Sequence, residues 1–228
     1  MPKTLNIALI GSTFMGRTHS NAYLNVAKFF DVPITPVMHT IAARDAEDLA
    51  KFAPRWGWLK FTTRWQDVCE DENVGLVDVG TPNHVHAEQA IAALEAGKHV
   101  YCEKPLTTTM DDARALARLA EERGLRLSAA PSNALSATVQ TLWKAVAEEL
   151  VGRPRLVYAE FDDNPVYLLQ PESWRSRSGA PWPYLHEYEM GCTWEHAGYH
   201  LVWMCALFGP VRSVTAFSQV TLPDKTGE

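Results

Sequence analysis

Through roughly the first 130 residues, short apolar runs alternate with segments whose apolar residues recur at helical spacing. That rhythm predicts a parallel sheet with helices on both faces. Leu5 to Ile10 reads as a first strand ending at Gly11, and a helix follows from about Phe14 to Phe30. Pro36 to Ala43 reads as a second strand. Asp45 to Phe52 follows as a short helix, with Ala46, Leu49, Ala50 and Ala53 at helical spacing. Val74 to Val79 is another strand, closed by Gly80-Thr81-Pro82-Asn83, where Asn83 is expected to cap the next helix. Ala87, Ala90, Ile91 and Leu94 give that helix one apolar face, and Gly97 suits a left-handed position just past its end. His99 to Cys102 predicts a strand. Thr109 with Asp111 and Asp112 opens a helix that Gly124 ends, and Arg126 to Ala130 predicts a sixth strand.

After Pro131 the rhythm changes. A helix is expected from about Ala134 to Leu150, then a strand from Leu156 to Phe161 and a loop rich in Pro, Trp, Ser and Arg from Asp163 to about Tyr188. A helix from about Thr193 to Phe208 and a strand from Val211 to Val220 close the chain. In that last strand Val214, Ala216, Ser218 and Val220 alternate with Thr215, Phe217, Gln219 and Thr221, as a half-buried strand requires. The expected division is a domain over 1–131 and a thinner α+β domain over 132–228. No internal repeat or low-complexity segment occurs.

The chain has 228 residues, 46% hydrophobic and 21% charged, the balance of a soluble globular protein. Its net charge of −6 and the lack of any Lys/Arg concentration argue against nucleic-acid binding, which needs a basic face. No run approaches the roughly 20 apolar residues of a membrane span. The opening run is short and has no cleavage pattern, so no signal peptide is expected. The four cysteines form no CxxC pair, which favours reduced thiols in the cytoplasm.

Gly11-Ser12-Thr13-Phe14-Met15-Gly16 follows a strand and opens a helix, the context a dinucleotide fingerprint requires. Thr13 stands where the second glycine would let the backbone approach the pyrophosphate. The loop must therefore swing outward or bond the phosphates through the Thr13 hydroxyl; a plain strand-to-helix turn would read the same. At the end of the second strand, where an acid usually meets the ribose 2′-hydroxyl, stand Ala43 and Arg44, with Asp45 beyond. A guanidinium there suits a 2′-phosphate and favours NADP over NAD, unless Arg44 is simply an exposed partner of Asp48.

Thr81-Pro82-Asn83-His84-Val85-His86 lies at a strand's carboxyl end, where open α/β sheets bind ligands. His84 and His86 have no carboxylate or cysteine to complete a zinc set, so no metal is expected. Glu103-Lys104-Pro105 ends the next strand on the same edge. A lysine there can bond a substrate hydroxyl and manage its proton as hydride leaves the carbon. Burial would lower its basicity, and Glu103 would raise it. A surface salt bridge before a proline is the plainer alternative.

The stretch from Thr81 to Leu106, TPNHVHAEQAIAALEAGKHVYCEKPL, closely resembles the glucose–fructose oxidoreductase, inositol dehydrogenase and rhizopine-catabolism (Gfo/Idh/MocA) family. The Gly11 loop and the EKP motif also fall in that family's order, over about residues 5 to 130. The resemblance implies an α/β chain with a Rossmann domain and a second domain built on an open sheet. It implies that Lys104 is catalytic and touches the nicotinamide ribose, and that Thr81, Pro82, Asn83, His86, Glu103 and Pro105 line the cofactor. Trp174-Arg175 resembles the family's pair on a loop over the cofactor.

The family's Asp-x-Gly-x-His segment, which adds acid–base groups, is matched by Glu195-His196-Ala197-Gly198-Tyr199-His200. Anchoring on Gly198 puts His196 and His200 at the two functional places; sliding the register by one puts Glu195 and Tyr199 there. His196 and His200 would share one helical face. The same spacing could bind zinc, although the HExxH glutamate is missing, and His200 could be a core histidine with satisfied bonds.

The expected function is hydride transfer between a nicotinamide cofactor and a sugar, cyclitol or related polyol, with Lys104 and His200 managing the proton. NAD-assisted glycoside cleavage and a non-catalytic dinucleotide sensor are the rival expectations. The second-domain sheet is expected to be incomplete at Glu228 and to be finished by further residues or by a partner subunit, with homo-oligomer formation through that sheet.

Overall fold

The computed structural model describes residues 3–161, 170–177 and 179–220. The chain divides into two compact units, Met1–Ala130 and Pro131–Glu228.

The first unit runs β1 (Lys3–Ile10), α1 (Phe14–Phe29), β2 (Ile34–Ala42), α2 (Ala46–Trp56), β3 (Lys60–Thr62), α3 (Gln66–Glu70) and β4 (Leu76–Val79). It continues with a 3₁₀ turn (Asn83–Val85), α4 (His86–Glu95), β5 (His99–Cys102), α5 (Met110–Glu122) and β6 (Leu127–Ala129). All five strand pairings are parallel, in the order β3-β2-β1-β4-β5-β6. This is the strand order of the doubly wound dinucleotide-binding fold.

The apolar residues of β1 divide between the two sheet faces. Ile7 and Leu9 pack with Met38, Ile41, Leu49, Phe52 and Trp58. Ala8 and Ile10 pack on the other side with Val77, Val79, Leu94, Val100 and Leu116. Side chains alternate across a strand, so an apolar run with no polar break belongs to a strand covered on both faces. A register shift between Ile7 and Ala8 leaves one extra residue in β2, because Ile7 pairs Met38 and Ala8 pairs Thr40. Met38 and Ile41 thereby reach the same layer, three positions apart.

Most of the predicted elements form, with three differences in this unit. Strand β3 and helix α3 are too short to stand out as periodic segments. Helix α2 runs past Phe52 to Trp56 with Pro54 inside it, and ends at Gly57 with φ +81°. Asn83 does not cap α4; it begins the 3₁₀ turn, and the α-helix starts after Val85 with no side-chain cap.

The second unit holds a 3₁₀ turn (Asn133–Leu135), α6 (Ala137–Ala147), α7 (Tyr184–Met190), α8 (Cys192–His196) and α9 (Gly198–Phe208). The expected strands at Leu156–Phe161 and Val211–Val220 are irregular. A strand keeps its shape through a neighbour's hydrogen bonds, and neither segment has a ladder partner among the described residues. The open sheet, and with it the surface expected to join copies of the chain, therefore has no counterpart among described residues 131–220. Part of the Asp163–Tyr188 loop, 163–169 and 178, lies outside the described residues, as does 221–228. The expected helix from Thr193 to Phe208 is divided at Ala197 into α8 and α9. Among the described residues no helix is long and apolar enough to cross a membrane.

Candidate cofactor site and active centre

Strands β1 and β4 are neighbours in the sheet, yet their chains leave toward different sides, which makes their carboxyl ends the topological switch point. Gly11 follows β1 with φ +114°, and a Cβ on it would stand 2.6 Å from the Gly80 carbonyl oxygen after β4. A Cβ on Gly16 would stand 2.3 Å from the Gly11 carbonyl oxygen. Only glycine fits either place, so loop, helix and β4 close against one another as a dinucleotide cradle requires. Thr13 is the residue before α1; it is exposed and its side chain makes no cap bond. The first N–H groups of α1, at Phe14, Met15 and Gly16, have no acceptor within their own helix. Loop, hydroxyl and helix end together fit a pyrophosphate.

Arg44 lies just past β2, exposed, where a ribose edge would come. The pairing considered with Asp48 does not form among the described residues. Asp45, the nearest acid, accepts from the Glu47 and Asp48 N–H groups at 2.9 and 3.0 Å and caps α2. Its carboxylate is thus already engaged.

The Thr81 hydroxyl donates to Gln89 at 2.8 Å. His86 is fully buried, with its two ring nitrogens 2.7 Å from the Thr81 carbonyl and 2.8 Å from the Pro105 carbonyl. It clasps the turn after β4 to the turn after β5. Pro82 and Asn83 lie between these anchors. Glu103 and Lys104 follow β5 directly, and the Lys104 backbone N–H donates to Glu103 Oε2 at 3.1 Å.

Beneath Glu103 lies a group that the sequence reading missed. His19, on the inward face of α1, is bonded through Nδ1 to Asp78 at 2.9 and 3.0 Å and through Nε2 to Glu103 Oε1 at 3.0 Å. The Tyr23 hydroxyl donates to Asp78 Oδ2 at 2.6 Å. Burial alone would lower the basicity of His19, but the bonds to Asp78 and Glu103 outweigh it and raise its pKa to about 10. Burial pushes the Glu103 carboxyl up, and the bonds from His19 and the Lys104 N–H more than reverse this, holding it below its usual range. Burial, with the carboxylates nearby, pushes the Tyr101 hydroxyl up to about 12. The sequence did carry signals for this group. Gly16, His19, Ser20 and Tyr23 have the spacing of one helical face, and Asp78 interrupts an apolar strand.

In the second unit, Phe161 lies against both expected acid–base histidines, with ring centroids 5.4 Å from His196 and 5.7 Å from His200. His200 Nε2 is 3.0 Å from the Glu160 carbonyl oxygen, and its Nδ1 accepts from the Trp203 indole at 3.2 Å. Both nitrogens are engaged, the arrangement of a satisfied histidine. His200 and Tyr199 border a groove of about 550 Å³ with Ser132, Asn133, Ser136 and Trp203. Arg175 donates to the Glu172 and Trp174 carbonyls, and Trp174 meets Trp182 edge to face.

The fold thus gathers Gly11, Thr13, Phe14, Met15, Gly16, Thr81, Pro82, Asn83, His86, Glu103, Lys104 and Pro105 around the carboxyl ends of β1, β4 and β5. Trp174, Arg175, His196 and His200 belong to the second unit. Among the described residues no cluster of three His, Cys, Asp or Glu is arranged to hold a metal.

Residues 5–130 match the GFO_IDH_MocA model, described as an oxidoreductase family with an NAD-binding Rossmann fold. Levoglucosan dehydrogenase of Pseudarthrobacter phenanthrenivorans is 38% identical over 152 residues, covering 66% of this chain and 39% of that protein. Trans-1,2-dihydrobenzene-1,2-diol dehydrogenase of Oryctolagus cuniculus is 30% identical over 139 residues, 61% of this chain and 42% of that protein. A solved levoglucosan dehydrogenase with NADH and levoglucosan aligns at a TM-score of 0.64 and 38% identity, over 66% of this chain and 41% of that one. An oxidoreductase domain protein from Kribbella flavida aligns at 0.63 with 41% identity, over the same share of each. The chain spans about two fifths of the length of these relatives.

Proposed function

The chain belongs to the Gfo/Idh/MocA oxidoreductase family, and on that premise we propose that it moves a hydride between a nicotinamide cofactor and a hydroxyl-bearing carbon of a sugar, cyclitol or related polyol. The observation that carries this reading is the placement of Lys104. It stands at the carboxyl edge of the sheet, beside the switch point, with its backbone held by Glu103 on one side and the following carbonyl held by His86 on the other. Relatives named for an anhydrosugar and a diol support the substrate class.

The nicotinamide, when bound, supplies or accepts the hydride. The Gly11 turn, the Thr13 hydroxyl and the first N–H groups of α1 would hold its pyrophosphate. Lys104 takes the proton from the substrate hydroxyl in oxidation and returns it in reduction. Glu103, beside it and ionised, favours the charged form of the amine. A part for His200 in the same transfer requires it to release Glu160 or Trp203, so Lys104 is assigned the step first.

Arg44, with the Asp45 carboxylate committed to its helix cap, supports NADP over NAD. The relative solved with NADH supports NAD. Fluorescence titration with NADH and NADPH decides between them. The preferred oxidised cofactor is then offered with levoglucosan, D-glucose and myo-inositol, to the natural chain and to Lys104→Ala. Growth of the reduced-nicotinamide absorbance that Lys104→Ala abolishes is the expected result. Product without net absorbance change would instead favour cofactor-assisted cleavage, and binding without turnover a sensor.

A further inference from the structure

Beneath the active centre lies a charged group that hydride transfer does not itself require. We propose that His19 is a positioning residue for Lys104: bridging Asp78 and Glu103, it sets the carboxylate that holds the Lys104 backbone. The inference rests on the reading of Lys104 as the proton-handling residue.

The geometry is specific. Ionised carboxylates only accept hydrogen bonds, so a ring bonded to one through each nitrogen must carry two N–H groups. A neutral imidazole can make only one of these bonds as donor. His19 is bonded to Asp78 through Nδ1 and to Glu103 through Nε2, which makes it the cation between two buried anions. The two oxygens of Glu103 have different partners, His19 on Oε1 and the Lys104 N–H on Oε2. A carboxylate held at both oxygens cannot rotate, and the Lys104 backbone is held with it. Asp78 is fixed in turn by the Tyr23 hydroxyl. The groups facing the ring are Tyr23 from α1, Asp78 from β4, Tyr101 edge-on at 5.6 Å from β5, and Glu103 with the neighbouring Lys104 from the turn after β5.

The bridge also has a mechanical consequence. α1 carries the glycine loop at its start, while β4 and β5 carry the two ligand-edge turns at their ends. One ring therefore ties the phosphate-binding helix to the strand that presents Lys104. Three well-packed apolar side chains could fill the same space, and a buried ion pair is often no more stabilising than such a replacement. Stability is thus a poor reason for keeping it, and orientation is a better one.

The test uses the full chain labelled with ¹⁵N on histidine and on the backbone. The His19 ring signals are assigned by their loss in His19→Gln. They should show two protonated nitrogens from neutral pH up to about 10. In His19→Gln the Lys104 amide should exchange with solvent at least about tenfold faster, a loss of roughly 1.4 kcal/mol of protection, while the Leu49 and Leu94 amides keep their rates. NADH affinity should hold within about threefold as kcat on the sugar panel falls about tenfold or more. A ring titrating near its ordinary 6.5 with one N–H overturns the bridge. Unchanged Lys104 exchange in His19→Gln overturns the positioning. Should His19→Gln fail to fold, Glu103→Ala removes the acceptor from the other side, and its His19 ring must then titrate below about 10; an unmoved ring overturns the bridge. No turnover by the natural chain on any panel member would sink the dehydrogenase reading, leaving ring and amide signals to judge His19 alone.

Discussion

The two units treat their apolar residues in opposite ways. Among the described residues every buried apolar side chain except Ala180 lies between Ile7 and Ala120. In the second unit α6 and α9 bury no residue at all. Helix α9, GYHLVWMCALF, is apolar on nearly every side, the composition of a helix surrounded by protein. Its Leu201 and Phe208 are nonetheless exposed. The difference teaches that periodicity makes a helix, whereas burial needs an opposing surface. The Rossmann unit supplies both faces of its sheet with helices; the described part of the second unit offers its helices no comparable layer.

The largest effect should come from the proposed proton carrier of the first unit. Lys104→Ala is expected to reduce turnover by about a hundredfold to ten-thousandfold while NADH binding, followed by fluorescence, changes little. Unaltered kcat would remove Lys104 from the chemistry. The packing contrast is next. Leu49→Ala or Leu94→Ala should cost about 2–5 kcal/mol in urea unfolding, against under about 0.5 kcal/mol for Leu201→Ala. A cost for Leu201→Ala as large as that for Leu49→Ala would break the comparison between units.

Gly11→Ala should destabilise the first unit by roughly 1–3 kcal/mol, from its left-handed φ and the Gly80 contact. His19 adds a pH dependence with a definite sign. Its folded pKa is raised, so its stabilisation is complete below its ordinary 6.5, declines above it and is lost as pH passes about 10. Glu103, whose folded pKa is depressed, stabilises above its ordinary 4.5 and loses that contribution as pH falls through its lower folded value. Unfolding midpoints at several pH values should therefore fall on both sides, and His19→Gln should flatten the alkaline side. A wild-type alkaline limb as flat as that of the variant would refute the assignment. The smallest effect is expected at Arg44: its change to Ala should weaken NADPH by about tenfold, one charge-assisted hydrogen bond, and leave NADH unaltered. Equal losses for both cofactors would sharpen the picture toward a general phosphate contact.

The parts of the site that could be read in advance are those with a local cause. Gly11 and Gly16 are required by backbone geometry within six residues, and Glu103-Lys104-Pro105 follows an apolar run that has to be a strand. His19, Asp78 and Tyr23 were visible as polar residues in inward positions, but their partners lie 59 and 55 positions apart in the chain. No window of sequence contains such a contact. Asn83 failed as a cap because one 3₁₀ turn intervenes before α4, just ahead of the His86 that clasps the Thr81 and Pro105 carbonyls. The two histidines expected on one continuous helix are divided at Ala197, yet both still meet Phe161.

By itself, then, the sequence determined the alternation of strand and helix in the first unit, the glycine loop and the edge motifs. Each of these is set by periodicity or by backbone sterics over a few residues. Tertiary structure alone decided the shift in β2 that brings Met38 and Ile41 into one layer, the commitment of Asp45 to a helix cap, and the ionic bridge under Lys104. It also decided that Leu156–Phe161 and Val211–Val220 are not strands. Alternation makes a segment able to be a strand, but only a neighbouring strand can complete its hydrogen bonds.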